Sequence, residues 1–348
     1  MKIWKQMGTA VLALCLCLGL LSGCGEDKDG FSLQAALVGE VPSGDPAMVQ
    51  GAEQETVLLH LYQNLMQRTF SDGESAAASG VAQSYNETAN ADGTVTYTFH
   101  LNEEATWSDG TAVTAQDFVY AWQRLADPAT GSPNASLLKM VQGYAEVRSG
   151  DPEAALAVTA EDEKTLTVVL SHPCTWFLSD VCTAAATMPL QEESAEEEGW
   201  AENWSGLVTN GAYEAQGRKG DQLTLTRREE STSGPQTLTV RFTDDAQEAW
   251  ELYQDKEVDF VSQLPQEELE NHKDALVFQP ETDCILFNQE AEPLNDIQVR
   301  QALALAIDHS ALAEILKTGT TAASGLVPSG IGQEEDEDFR TAGGALLD

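Results

Sequence analysis

Hydrophobic and polar residues alternate most cleanly over residues 94–101, Thr-Val-Thr-Tyr-Thr-Phe-His-Leu. A period of two in β-branched and aromatic residues predicts a strand with one buried face. Asp92-Gly93, just before it, supplies a tight hairpin turn. Shorter runs of the same kind predict strands at 31–38, 166–170, 222–227 and 237–242. Elsewhere the period lengthens. Val57, Leu58, Leu61, Leu65 and Met66 have helical spacing and predict a helix over 53–67. Phe118, Val119, Trp122 and Leu125 predict another over 114–125. Thr114 is its N-cap, Asp117 lies in its first turn, and Asp127-Pro128 stops it. Residues 246–253 and 299–316 read as amphipathic helices, and the Glu- and Ala-rich run 191–199 as a solvated one. Val41-Pro42-Ser43-Gly44-Asp45-Pro46 is a turn cluster, and 331–339 an acidic loop. Strands and helices mixed throughout predict an α/β or α+β architecture.

The first residues follow a different pattern. Lys2 and Lys5 precede a short apolar run from Met7 to Leu21, then Ser22, Gly23 and Cys24. The run is too short to span a bilayer, which takes about 20 apolar residues, and predicts a secretory signal over 1–23. Leu21-Ser22-Gly23-Cys24 resembles a lipobox. The resemblance implies that Cys24 becomes both the lipid attachment point and the new N-terminus. Ordinary cleavage beside an incidental cysteine is the alternative. Residues 24–30 then form a polar, Gly-flanked tether.

Composition sharpens this picture. The 348 residues include 57 acidic and 18 basic side chains, a net charge of −39. Such a field disfavours nucleic acid and anionic lipid headgroups as partners and serves solubility. Hydrophobic content of 42% suffices for one large or two ordinary domains. Beyond Cys24 the remaining cysteines are Cys174, Cys182 and Cys284. Cys174 and Cys182 are close enough in sequence to close a small loop, although spacing alone does not establish a bond.

Catalytic chemistry finds little footing. The chain has no Gly-rich phosphate loop and no HExxH motif, and His60, His100, His172, His272 and His309 are scattered. No CxxC pair or His/Cys cluster points to zinc. Neither an enzyme nor a cofactor or metal is expected.

An ordered set of segments carries the strongest signal. In chain order these are Leu61-Tyr62-Gln63-Asn64-Leu65, Gly80-Val81-Ala82-Gln83-Ser84-Tyr85 and Trp107-Ser108-Asp109-Gly110. Val113-Thr114-Ala115-Gln116-Asp117-Phe118-Val119-Tyr120-Ala121-Trp122-Gln123-Arg124 follows, then Asn210-Gly211-Ala212-Tyr213, and last Pro293-Leu294-Asn295-Asp296 with Val299-Arg300-Gln301-Ala302 and Ala306-Ile307-Asp308. The set resembles family 5 of the extracellular solute-binding proteins, which contains the peptide-binding proteins of ABC importers. It spans roughly residues 31–330, and the block 107–124 is the most distinctive part.

The resemblance implies an α/β, periplasmic-binding-protein-like (type II) clamp of two lobes that closes on its solute by a hinge. The first lobe is expected over 31–283, with an inserted subdomain at about 68–190, and the start of the second over 284–348. Family members continue past this point, so the second lobe is expected to be truncated here and solute to be held weakly. The implied ligand is an oligopeptide held by its main chain. The implied partners are a permease and an ATPase, with the membrane reached through the lipid on Cys24 and the protein itself a monomer. By position, Gln50, Gly51, Ala52 and Glu53 match a ligand-facing loop. Asn134 matches a place often aromatic in oligopeptide binders, and Cys284, Ile285 and Phe287 match a strand lining the cleft. Gln50 replaces an acidic residue, and neither Asn134 nor Cys284 is aromatic, so peptide length and side-chain preference stay open. Arg300 and Asp308 are expected to form surface or interdomain salt bridges. A peptide-sensing or chaperone-like lipoprotein, or a binder of nickel chelates, haem or sugars, remains the alternative.

Overall fold

The computed structural model describes residues 30–340, apart from 72–73, 230, 232, 276–280, 317–319, 329–330 and 335–336. The expected leader, Cys24, and the tether as far as residue 29 lie outside the described residues. The chain divides into two compact units, Met1–Ser262 and Gln263–Asp348.

The first unit opens with β1 (Ser32–Val38), a 3-10 turn (Pro46–Met48) and α1 (Ala52–Leu61). A hairpin of β2 (Met66–Ser71) and β3 (Glu74–Ser79) follows, then β4 (Ala82–Ala89), β5 (Val95–Leu101) and α2 (Ala115–Ala126). After the short α3 (Tyr144–Arg148) come β6 (Val158–Asp162), β7 (Thr165–Leu170) and the single turn α4 (Glu192–Ala195). β8 (Tyr213–Lys219), β9 (Gln222–Arg227), β10 (Thr237–Thr243), α5 (Ala246–Gln254) and β11 (Phe260–Val261) complete it. One sheet has the order β11-β1-β10-β9-β8, with β1 parallel to both β10 and β11 and the rest antiparallel. The other, β4-β5-β7-β6, is wholly antiparallel.

β5 realises its alternation: Val95, Tyr97, Phe99 and Leu101 are buried while the residues between them face outward or half outward. Tyr97 packs on Phe177 with ring centroids 4.9 Å apart, and Trp122 of α2 meets Phe177 edge-on at 6.3 Å. The turn before β5 needs Gly93 at φ 89°, a conformation open to glycine. α2 starts where expected. The Asp117 carboxylate accepts from the Thr114 amide (2.7 Å), the Thr114 hydroxyl (3.1 Å) and the indole N–H of buried Trp107 (3.2 Å). Burial pushes the Asp117 pKa up, against the pull of those three donors. At the far edge of the five-stranded sheet, β11 pairs with only two residues of β1. The Asp259 and Ser262 side chains accept from the Gln34 and Val38 amides, at 2.9 and 3.0 Å, and so cap N–H groups a longer strand would have paired.

Several expectations need correction. The helix expected over 53–67 ends at Leu61, and Tyr62 is extended at φ −126°, ψ 154°. Gly211 blocks its continuation: it donates to the Leu61 carbonyl at 2.8 Å, so closely that a Cβ there would lie 2.4 Å from the Leu61 carbonyl carbon. Leu65 and Met66 are buried from outside the helix, and their burial imitated its period. The run 191–199 forms only the single turn α4. The pairing of Cys174 and Cys182, which their spacing left open, is not formed: both are buried free thiols.

In the second unit, the helix expected over 299–316 is two helices, α6 (Ile297–Leu305) and α7 (His309–Leu316). Asp308 caps the second by accepting from Ala311 N–H at 3.0 Å. Arg300 donates to the Leu294 and Asn295 carbonyls, so both residues bond to nearby backbone, and among the described residues neither forms an ion pair. The expected loop at 331–339 contains a short hairpin, β12 (Gly332–Glu334) with β13 (Glu337–Asp338). Neither α6 nor α7 buries a residue; Leu305 is 83% and Ile315 68% exposed. Among the described residues, no helix is long and apolar enough to cross a membrane.

Replacing Asp117 with alanine removes three acceptor contacts and leaves the Trp107 indole N–H unpaired. The expected loss is about 2–3 kcal/mol, read as a lower urea midpoint by tryptophan fluorescence with unchanged slope.

Candidate functional site

The segment between β1 and α1 has little regular structure, so side chains from elsewhere must satisfy its polar backbone. Asp45 begins the 3-10 turn, with Pro46 at its first position and the Ala47 amide donating to the Asp45 carboxylate at 3.0 Å. Gly44 is pressed against Leu207, where a Cβ would lie 2.6 Å from a methyl carbon, and donates to the Ala201 carbonyl at 2.7 Å.

Arg124, in the last turn of α2, grips Asp45 with both ends of its fork, at 2.9 and 2.6 Å. Asp45 is buried and Arg124 mostly so. Trp200 covers the guanidinium with its ring centroid 5.8 Å away. Burial works against the Arg124 charge, but the Asp45 carboxylate outweighs it and holds the guanidinium pKa above its usual value. Beside the pair, burial pushes the Tyr62 hydroxyl pKa far up; Asp45 reinforces this and Arg124 opposes it. Tyr62 Oη has no hydrogen-bond partner among the described residues.

Downstream, Ser132 Oγ donates to the Ala47 carbonyl at 2.5 Å and accepts the Asn134 amide at 3.0 Å. Asn134 Nδ2 donates to the Val49 carbonyl at 2.8 Å. Gln54, buried in α1, donates to the Ser43 carbonyl and accepts the Gln50 amide, each at 3.0 Å. Gln50, Gly51 and Ala52 then emerge exposed, with Glu53 half-buried. Gly51, at φ 81° and ψ 162°, makes the turn into α1 and offers no side-chain cap to the helix amides.

The structure thus brings Gln50, Gly51, Ala52, Glu53 and Asn134 into one neighbourhood of the first unit. Cys284, Ile285 and Phe287 belong to the second unit. Residues 281–288 form neither helix nor strand, so the expected cleft strand is absent there. Cys284 and Ile285 are exposed and Phe287 is half-buried. Sequence reasoning missed Asp45, Gln54, Arg124 and Ser132 as the residues that build the loop. The Asp45-Pro46 pair is a helix-start signal, but nothing local marks Arg124 as its partner. Among the described residues, no group of three or more His, Cys, Asp or Glu side chains is arranged to hold a metal ion.

Residues 76–344 match the profile of the bacterial extracellular solute-binding proteins, family 5 Middle. The chain is 33% identical over 308 residues to the periplasmic oligopeptide-binding protein OppA of Escherichia coli, an alignment covering 83% of this chain and 55% of the relative. It is 29% identical over 263 residues to the dipeptide-binding protein DppE of Bacillus subtilis, covering 72% and 48%. The chain therefore spans about half the length of these relatives. Among solved structures, it resembles the murein tripeptide binding protein MppA of Escherichia coli, with a TM-score of 0.74, 29% identity, and coverage of 86% and 60%. It also resembles Haemophilus influenzae OppA in complex with the peptide RPPGFSPFR, with a TM-score of 0.72, 27% identity, and coverage of 85% and 60%.

Removing one member of the buried pair strands the other charge. Arg124→Ala is expected to destabilise the first unit by about 3 kcal/mol, read from chemical denaturation followed by tryptophan fluorescence.

Proposed function

Since the chain belongs to family 5 of the bacterial extracellular solute-binding proteins, we propose that it captures oligopeptides outside the cytoplasm and delivers them to a membrane permease and its ATPase for import. It is a binding protein rather than an enzyme, and its fold is the mixed α/β fold of the periplasmic binding proteins.

The observation that carries the peptide reading is the segment 50–53, an exposed turn at Gln50 and Gly51 leading into the first residues of α1, exposed Ala52 and half-buried Glu53. Its preceding backbone is pinned from three directions, by Arg124, Asn134 and Gln54. The Gln50 amide is taken by Gln54, and Gly51 gives the start of α1 no side-chain cap. A rigid edge of main-chain groups suits an extended peptide, whose backbone offers donors and acceptors whatever its side chains. On this reading Gln50, Gly51, Ala52 and Glu53, with Asn134 beside them, form the ligand surface of the first unit; Cys284, Ile285 and Phe287 are separate candidates within the second unit. The names of the relatives agree: OppA and DppE are oligopeptide- and dipeptide-binding proteins. The lipid anchor rests on the sequence around Cys24, which keeps the protein near its permease at the outer face of the membrane.

Calorimetric titration of the chain should give saturable binding with short peptides and none with nickel chelates, haem or sugars. Saturable binding of one of those solutes without any of peptide would overturn the reading. Separately, Cys24→Ser should abolish labelling by a fatty-acid analogue in cells and move the protein from the membrane to the soluble fraction; unchanged labelling would place the lipid elsewhere.

A further inference from the structure

The peptide group joining Val49 and Gln50 is held at both of its polar ends. Its carbonyl, on Val49, accepts from Asn134 Nδ2 at 2.8 Å. Its N–H, on Gln50, donates to Gln54 Oε1 at 3.0 Å. Two side-chain amides, one 4 and the other 85 positions from the group it bonds, therefore fix one peptide plane and with it the direction in which the chain enters Gln50. The grip is reinforced two residues upstream, where Ser132 Oγ donates to the Ala47 carbonyl at 2.5 Å and accepts the Asn134 amide at 3.0 Å. The carbonyls of Ala47 and Val49 are thus satisfied in the alternating manner of a strand edge, by two side chains instead of a strand.

We infer that Asn134 is a positioning residue for ligand capture: its side-chain amide donates to the Val49 carbonyl and so sets the orientation of the main chain at 50–53. The inference rests on the peptide-binding reading above. It gives Asn134 a role exerted through the loop, at a position whose resemblance to oligopeptide binders points to direct ligand contact. Two features of the residue fit this role. A side-chain carboxamide carries the N–H donor the carbonyl requires, and Asn134 is only half-buried, so its replacement does not open the core. Gln54, by contrast, is 1% exposed and also bonds the Ser43 carbonyl, so its replacement disturbs more than the clamp.

The discriminating variant is Asn134→Asp, which keeps size and shape but substitutes a carboxylate that cannot donate. Asn134→Gln, which keeps the donor on a longer arm, serves as rescue. Peptide affinity by calorimetry, the urea midpoint, and amide hydrogen exchange at Gln50 without ligand are measured on all three proteins. Asn134→Asp is expected to weaken peptide binding about tenfold and to speed Gln50 exchange about tenfold, as the released peptide group samples open states. The urea midpoint should hold, and Asn134→Gln should recover most of both losses. Weaker binding with unchanged Gln50 exchange would overturn the inference and make Asn134 a direct ligand contact. Unchanged binding and exchange would overturn it outright. If the parent chain binds another solute and no peptide, the peptide reading fails. The exchange at Gln50 then still decides the clamp: faster exchange in Asn134→Asp supports it, and unchanged exchange overturns it.

Discussion

The bidentate contact between Arg124 and Asp45 joins two parts of the first unit that are distant in sequence. α2 is rigid: it is fixed at its start by Asp117 and in its middle by Trp122, whose indole donates to the Thr187 carbonyl at 2.8 Å. The segment from Val41 to Val49 has only one short turn of its own. Arg124 transfers the rigidity of the helix to that segment, at the cost of burying a carboxylate that is stable only while paired. The loop at 50–53 follows directly. Its placement is thus a consequence of one ion pair and of the amide and hydroxyl hydrogen bonds of three side chains, Gln54, Ser132 and Asn134.

Much of the scaffold was legible because its signals are local. The alternation at 94–101 gave a strand with one buried face, and the Thr114/Asp117 pair fixed the start of α2. The helix at 53–67 was overextended because Leu65 and Met66 are buried for a reason unrelated to helical period. The break after Leu305 was missed because Asp308 reads equally well as a helix-surface residue and as a cap. In each case two structures satisfy the same hydrophobic spacing, and a single hydrogen bond or a close glycine decides between them.

The site was legible to a lesser degree, and for a different reason. Residues 50–53 and Asn134 were recognised by resemblance, and the structure brings them into one neighbourhood. The groups that hold them there are long-range partners: Asp45 and Arg124 are 79 positions apart, and Val49 and Asn134 are 85 apart. Asp45 looked like a turn residue and Arg124 like part of a helix motif, and both descriptions are accurate locally. No periodicity or spacing rule links such pairs, because their contact exists only once both sheets and α2 have packed.

The account makes the loop at 50–53 the main-chain surface that meets a peptide. The most direct measurement is the change in amide hydrogen exchange across the first unit when a binding peptide is added at saturation. The account predicts slower exchange at Gly51, Ala52 and Glu53, with the outer strands of the β4-β5-β7-β6 sheet unaffected. Protection confined to other parts of the first unit, with residues 50–53 unchanged, would contradict it.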